Sequence, residues 1–370
     1  MPDARRIAVG LLVLSTLGAA RLPAQKVGAL VLLDGEGWKT DSGSFLTARN
    51  NGDPLGIARA TGWLTLQPVR QLELLAEAWG EAGTDGEQRG HLDQAEAKLT
   101  LSSALVLEGG QLLTPVGAFA RRRFSNTNPL VGRPDTYPPG YSLGALLSGA
   151  MGPLDYRLGV ANEAPVDTRY IPEPGKALRP VGAVGFRFGP ALRIGLSGTY
   201  GPYLGDQDTI VHNLPPGMDP DSMQQTLVGF EAHFSVGYLD MYGEYLWSRY
   251  DVPASSPTGT SQPVDGRGWY VEARYTLSPR VFVAGRVEAN DYVFVLPINQ
   301  FFWVGSPRMV RDAEVGAGYR LGASTLLKAS YRRDSWPDPD PPGLSFPDGY
   351  AWAVQVSQTI DVGKLFERRY

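Results

Sequence analysis

The sequence contains no cysteine, which excludes a disulfide framework, a thiolate metal centre, a thiol nucleophile and a lipoprotein anchor. Histidine is nearly as scarce, with only His91, His212 and His233. No stretch reaches the ~18 uninterrupted apolar residues of a membrane-spanning helix. Basic charge is not in excess either: 34 Lys and Arg stand against 38 Asp and Glu, a net charge of −4. A nucleic-acid partner would normally demand a basic face. What the chain has instead is 45 Gly, 17 Tyr and 8 Trp, residues that suit strands, tight turns and membrane-interface belts. A mean hydropathy of −0.17 fits neither a helical membrane protein nor a disordered tail.

The N-terminus reads as an export signal. Arg5 and Arg6 form a basic region, Ile7–Leu17 a short apolar one, and Gly18, Ala19 and Ala20 a small-residue stretch that closes with LPAQ. Cleavage is expected after Ala24, with Ala20 the alternative, so residues 1–24 are assigned to a signal peptide and 25–370 to the folded domain. An exported chain without a transmembrane helix is either free beyond the inner membrane or an outer-membrane β-barrel, and the strand pattern decides between these.

From Lys26 onward the hydrophobic period is two. Leu192, Ile194, Leu196, Gly198 and Tyr200 interleave with Arg193, Gly195, Ser197 and Thr199, and Trp269, Val271, Ala273 and Tyr275 with Tyr270, Glu272, Arg274 and Thr276. At 180° per residue these are strands with one apolar and one polar face. Sixteen such segments are predicted: 27–36, 56–69, 71–83, 91–102, 104–113, 140–151, 153–163, 178–189, 191–202, 223–236, 238–251, 266–279, 280–295, 309–322, 324–336 and 349–362. Most exceed the 5–6 residues usual for soluble sheets and suit tilted transmembrane strands. The first is the least regular, blurred by the run Leu30–Leu33, and the last either ends near Asp361 or runs on to Tyr370.

Connections are expected to alternate strictly between short turns and long Gly-, Pro- and Asp-rich loops, as at the two rims of a transmembrane barrel. Trp79, Trp247, Tyr250, Trp336 and Tyr350 fall near the long-loop ends, where an aromatic girdle would lie. The expected fold is therefore all-β: a transmembrane antiparallel barrel of sixteen strands. A soluble β-sandwich would have shorter strands and less regular connections.

The third long connection, Thr114–Gly140, follows a strand end that reads Gly110, Gln111, Pro115, Gly117 and leads to Asn128-Pro129-Leu130 and Arg133-Pro134. Over about residues 92–145 this resembles the phosphate-selective porin O/P type and related trimeric porins, where a "G-x-x-x-x-P-x-G" strand end leads into a constriction loop. The resemblance implies that Thr114–Gly140 folds into the lumen and sets pore size, and that the barrel is a homotrimer. The lysine ladder of a dedicated phosphate channel is missing, because Lys98 and Lys328 are the only lysines placed on lumen faces. Independently of the family, a polar loop this long usually has a function, and a sixteen-strand barrel leaves a water-filled interior that such a loop would narrow. Arg121, Arg122, Arg123, Arg133 and Asp135 are its candidate constriction residues.

Strand parity assigns the lumen wall. Glu73, Glu77, Glu81, Glu96 and Glu108 face inward with Arg59 and Lys98, followed by Arg157, Arg187 and Arg193. Further round come Asp240, Glu244, Glu272, Arg274, Arg286, Glu288, Asp312, Glu314, Arg320, Lys328 and Arg332. Charges on the lipid face would cost roughly 2–4 kcal/mol each at the midplane for Arg or Lys. An acidic arc opposed to a basic loop would set up a transverse field with weak ion selectivity.

The sequence offers no catalytic constellation, cofactor motif or metal-ligand spacing. His233 should face inward beside Glu231, with no Ser/His/Asp arrangement around it. Asp334, Asp338, Asp340 and Asp348 lack calcium-loop spacing. The expected function is passive or weakly selective diffusion of small polar or anionic solutes, with outer-membrane lipid as surroundings. The alternative is a non-conducting barrel acting as receptor, adhesin or anchor.

Overall fold

The computed structural model describes residues 26–42, 50–135, 140–165, 176–205, 219–253, 261–298, 302–340 and 345–363. The first eight strands are β1 (Lys26–Thr40), β2 (Leu55–Val69), β3 (Leu72–Gly83), β4 (Gln88–Ser102), β5 (Leu105–Leu113), β6 (Tyr141–Met151), β7 (Leu154–Ala161) and β8 (Arg179–Phe188). The rest are β9 (Leu192–Pro202), β10 (Gln224–Val236), β11 (Leu239–Pro253), β12 (Ser261–Thr276), β13 (Val281–Ile298), β14 (Phe302–Arg320), β15 (Thr325–Ser335) and β16 (Gly349–Asp361). Each pairs antiparallel with its neighbour, and β16 returns to β1 from Leu30↔Asp361 to Thr40↔Ala351, closing the barrel. Closure explains why the poorly patterned first segment is a full strand. With a ladder on both sides, Leu32 turns inward and is fully buried while Leu33 turns outward.

The barrel is inside-out relative to a soluble protein. Along β16, exposed Tyr350, Trp352, Val354 and Val356 alternate with buried Ala351, Ala353, Gln355 and Ser357. Glu272, Arg286 and Glu314 are among the most buried side chains, whereas Leu143 and Val354 are each 59% exposed. A continuous apolar exterior of this kind would be costly in water and is stable in lipid. No helix among the described residues is long and apolar enough to cross a membrane.

Two expectations about the rims need correction. The turns are not strictly alternating in length: β3 and β4 are joined by residues 84–87, on the rim expected to carry long loops. On the same rim, β13 and β14 grow past the sheet. β13 leaves β12 at Asn290 and β14 meets β15 only from Arg311, so the pairs from Asp291↔Met309 to Ile298↔Phe302 form a two-stranded ribbon. The aromatic girdle is also smaller than predicted. Trp79 turns inward and donates to Asp93 Oδ1 at 3.1 Å. Tyr250 is buried against Tyr203, with ring centroids 5.1 Å apart, and Trp336 is buried beside Phe346. Tyr350 stays on the outer face, as does Trp247 by its place between inward-facing Leu246 and Ser248. Strand β16 ends at Asp361, and the assigned signal peptide and residues 364–370 lie outside the described residues.

Candidate functional site

The connection between β5 and β6 folds into the lumen, as expected, and its path can be followed bond by bond. At its root the Thr114 amide donates to the Gly140 carbonyl at 3.0 Å, and the Thr114 and Ser142 hydroxyls are 3.0 Å apart. The loop then meets the wall on β9 and β11. The Gly117 amide donates to Ser197 Oγ (3.1 Å) and the Phe119 amide to Glu244 Oε2 (3.1 Å). Gly117 has φ +76°, and a Cβ there would lie 2.5 Å from Glu244 Oε1. Only glycine permits both the left-handed backbone and this approach.

After the 3-10 turn Phe119–Arg122, the two arginines part. Arg122 donates twice to Glu272 Oε1 on β12, at 2.8 and 2.9 Å, and its guanidinium lies 3.5 Å from the centroid of Tyr242. Arg123 binds Glu77 on β3 and Asp93 on β4. Asp93 can reach it because of a β-bulge: Glu77 pairs with Gln94 and Ala78 with Leu92, leaving Asp93 as the extra residue turned into the lumen. Next, Phe124 packs edge-on against Trp63 of β2, and Ser125 donates to Asp34 of β1.

The far half of the loop is fixed by backbone contacts. Lys328 Nζ donates to the carbonyls of Asn128 (2.9 Å) and Leu130 (2.8 Å), so this lysine is an anchor and not a rung of a ladder. The Gly132 amide donates to Glu314 Oε1 (2.9 Å), and the Asp135 amide to Glu288 Oε2 (2.8 Å). Arg332 donates to the Arg133 carbonyl (3.0 Å) and pairs with Asp135. Under this half, Arg286 lies between Glu272 (3.3 Å), Glu288 (3.6 Å) and Glu314 (2.7 Å), with all four side chains at most 1% exposed. Ions this buried are tolerable only when paired and hydrogen-bonded.

The predicted basic edge therefore changes character. Arg122 and Arg123 are neutralised by wall carboxylates, and Asp135 is taken up by Arg332. Arg121 and Arg133 are exposed and make no ion pair among the described residues. On the opposite arc the predicted wall charges pair along the sheet. Arg157 binds Glu108 (2.7 Å), Arg193 binds Asp155 (2.7 Å) and Glu231, and Lys98 binds Glu96 (2.6 Å). Glu73 sits opposite Lys98 in the register, Arg187 lies 3.9 Å from Asp155, and the Arg274 guanidinium covers the Phe282 ring at 4.5 Å.

Sequence reasoning missed Asp34, Asp93, Trp63 and Ser197. Asp34 was hidden in an irregular segment, and the bulge at Asp93 breaks the parity that would have placed it. His233 faces inward as predicted and stacks on Tyr242 with centroids 4.2 Å apart. The loop aspartates are backbone acceptors: Asp338 for Met309, Asp340 for Phe346 and Asp348 for Trp336. No group able to hold a metal occurs among the described residues.

No family model matches the sequence, and no curated protein matches it significantly. Solved structures do match. The anion-selective porin of Comamonas acidovorans is 12% identical, with a TM-score of 0.61 over 91% of this chain and 100% of that one. The trimer form of Vibrio cholerae OmpT is 11% identical, with a TM-score of 0.57 over 91% of this chain and 100% of that one. Salmonella typhi OmpF, in complex with daunomycin, is 11% identical, with a TM-score of 0.61 over 91% of this chain and 98% of that one. At such identity the likeness is one of fold, and the chain has the sixteen-strand, antiparallel, porin-type barrel.

Proposed function

We propose that this chain is an outer-membrane porin that passes small polar or anionic solutes by passive, weakly selective diffusion. The observation that carries the reading is the loop 114–135, tied by side chains and backbone to walls on both sides of a lumen lined with charge. A sixteen-strand barrel is too wide for its own side chains to fill. A loop fastened inside it narrows the water path without needing a separate plug domain. The apolar exterior supports outer-membrane lipid as the surroundings, since the midspan of that face is apolar and its outward charges, such as Arg249, Asp265, Arg311 and Arg333, sit toward the long-loop rim.

A homotrimer is part of the same proposal. The outer face of β2–β4 presents small exposed residues, Ala58, Ala60, Ala78, Ala82 and Ala95, which would let two barrels approach closely.

Purified protein in planar bilayers should give stepwise conductance, and proteoliposomes should swell with small sugars. A correctly folded barrel that gives neither would overturn the porin reading in favour of a non-conducting surface barrel. Chemical crosslinking in the membrane should trap three copies.

A further inference from the structure

We infer that the solute path is eccentric, running along the β5–β9 arc of the wall, and that Arg121, Arg157, Arg187 and Arg193 on that path make it prefer small anions. The inference rests on the porin reading above and adds where the path lies and what sorts the solutes.

The location follows from what the loop covers. Past its root, its hydrogen bonds and ion pairs to the wall fall on β1, β3, β4, β9 and β11–β15. Among the described residues none falls on β7 or β8, and the contact on β9 is at Ser197, which leaves Arg193 uncovered. Exposure is lowest under the far half of the loop. Under the loop, Arg286, Glu272, Glu288 and Glu314 are at most 1% exposed. On the uncovered arc, Arg157 is 23% exposed and Arg187 66%.

The sign follows from which charges lie in front. Arg157 is 23% exposed while its partner Glu108 is 6%. Arg193 is 19% exposed and its partner Glu231 11%. Lys98 is 30% exposed and Glu96 is fully buried. Among the described residues of strands β5–β9, Asp155, at 29%, is the most accessible carboxylate, beside the exposed Arg187. Arg121 is exposed on the loop's side of the path and has no ion-pair partner among the described residues. Guanidinium groups thus screen the acids behind them, so a passing ion meets mainly positive charge at close range.

Two sets of variants test this in planar bilayers. The first measures the chloride-to-potassium permeability ratio from the reversal potential in a salt gradient. The wild-type ratio should exceed one, and Arg121→Glu and Arg187→Glu should each lower it at least about threefold. Arg133→Glu, also an exposed loop cation but near Arg59 and Glu81, should shift it much less. The second set uses the absence of native cysteine, which makes any introduced thiol unique. An anionic methanethiosulfonate should reduce current through Ala183→Cys, inward on β8, and leave Ser330→Cys, buried on β15, unaffected.

A conducting protein whose ratio is insensitive to Arg121→Glu and Arg187→Glu, or moves as far with Arg133→Glu, overturns this inference and leaves the porin reading intact. Block at Ser330→Cys without block at Ala183→Cys does the same. A folded wild-type barrel without conductance overturns the porin reading itself.

Discussion

Arg122 and Arg123 are neighbours in the chain and bind opposite walls of the barrel. Arg122 reaches Glu272 on β12 and Arg123 reaches Asp93 on β4, strands eight apart in a closed ring of sixteen. Two adjacent peptide units therefore stand on a diameter, held at each end by charge-assisted hydrogen bonds in a poorly solvated setting, where such bonds are strongest. This strut turns a long connection into a fixed partition.

Removing one end of the strut should free the loop and strand a carboxylate. In Arg122→Ala, Glu272 keeps Arg286 as its one ion-pair partner among the described residues, and breaking one side of a buried pair costs about 3–5 kcal/mol. The expected outcome is larger single-channel conductance with more open-channel noise, together with a lower temperature for the unfolding shift on detergent gels. Arg121→Ala is the contrast: it leaves stability unchanged, because Arg121 makes no ion pair among the described residues.

The bulge makes a separate prediction. Asp93 is the one unpaired residue between Leu92↔Ala78 and Gln94↔Glu77. Deleting it should restore uninterrupted alternation, with Leu92 still outward and Gln94 still inward, so the barrel should fold at wild-type yield. The deletion also removes an acceptor of Arg123, Trp79 and His91. Asp93 deleted and Asp93→Ala should therefore give the same loosened-loop conductance. A deletion that fails to fold while Asp93→Ala folds normally would show that the bulge shapes the sheet and does not merely present the carboxylate.

How far the sequence reaches is visible in these residues. Strand number, facing and the inward loop follow from a period of two and from one connection too long to be a turn, because both are local properties. Glu77, Glu244 and Glu272 were placed inward by parity alone. Their partners were not legible, since a loop's docking partners depend on which strands closure brings opposite. Parity also fails wherever one extra residue is inserted, as at Asp93. The girdle was overread because Trp and Tyr near a rim can serve either face: Trp79 turns inward to donate to Asp93, and Tyr250 and Trp336 are buried.

Gly132 should be intolerant of any side chain, a methyl included. A Cβ there would press on the Glu314 carboxylate that its own amide needs. Gly132→Val is expected to push the loop tip off the wall, at a cost of about 1–3 kcal/mol for overpacking. Chymotrypsin should then cut the loop after Leu130, which is buried in the wild type, faster than before, and mass spectrometry of the fragments would read this. Equal cleavage rates would mean the tip is already loose.

The last prediction separates the two faces of one strand. Val354 is 59% exposed on the outer face of β16, and the next residue, Gln355, is 5% exposed and turned inward, donating to Glu36 Oε1 at 2.7 Å. Val354→Arg would place a guanidinium in hydrocarbon near the middle of the strand, which costs roughly 2–4 kcal/mol at the bilayer midplane. Gln355→Arg would place the same group within reach of Glu36, which already lies 3.4 Å from Arg59. Urea titration in lipid vesicles should therefore show a clear loss of stability for Val354→Arg and little or none for Gln355→Arg. In detergent, where the thickness of the apolar belt adapts to the protein, the gap between the two variants should shrink. Equal losses in vesicles would contradict the assignment of these faces, because the two residues are adjacent and differ chiefly in which solvent they meet.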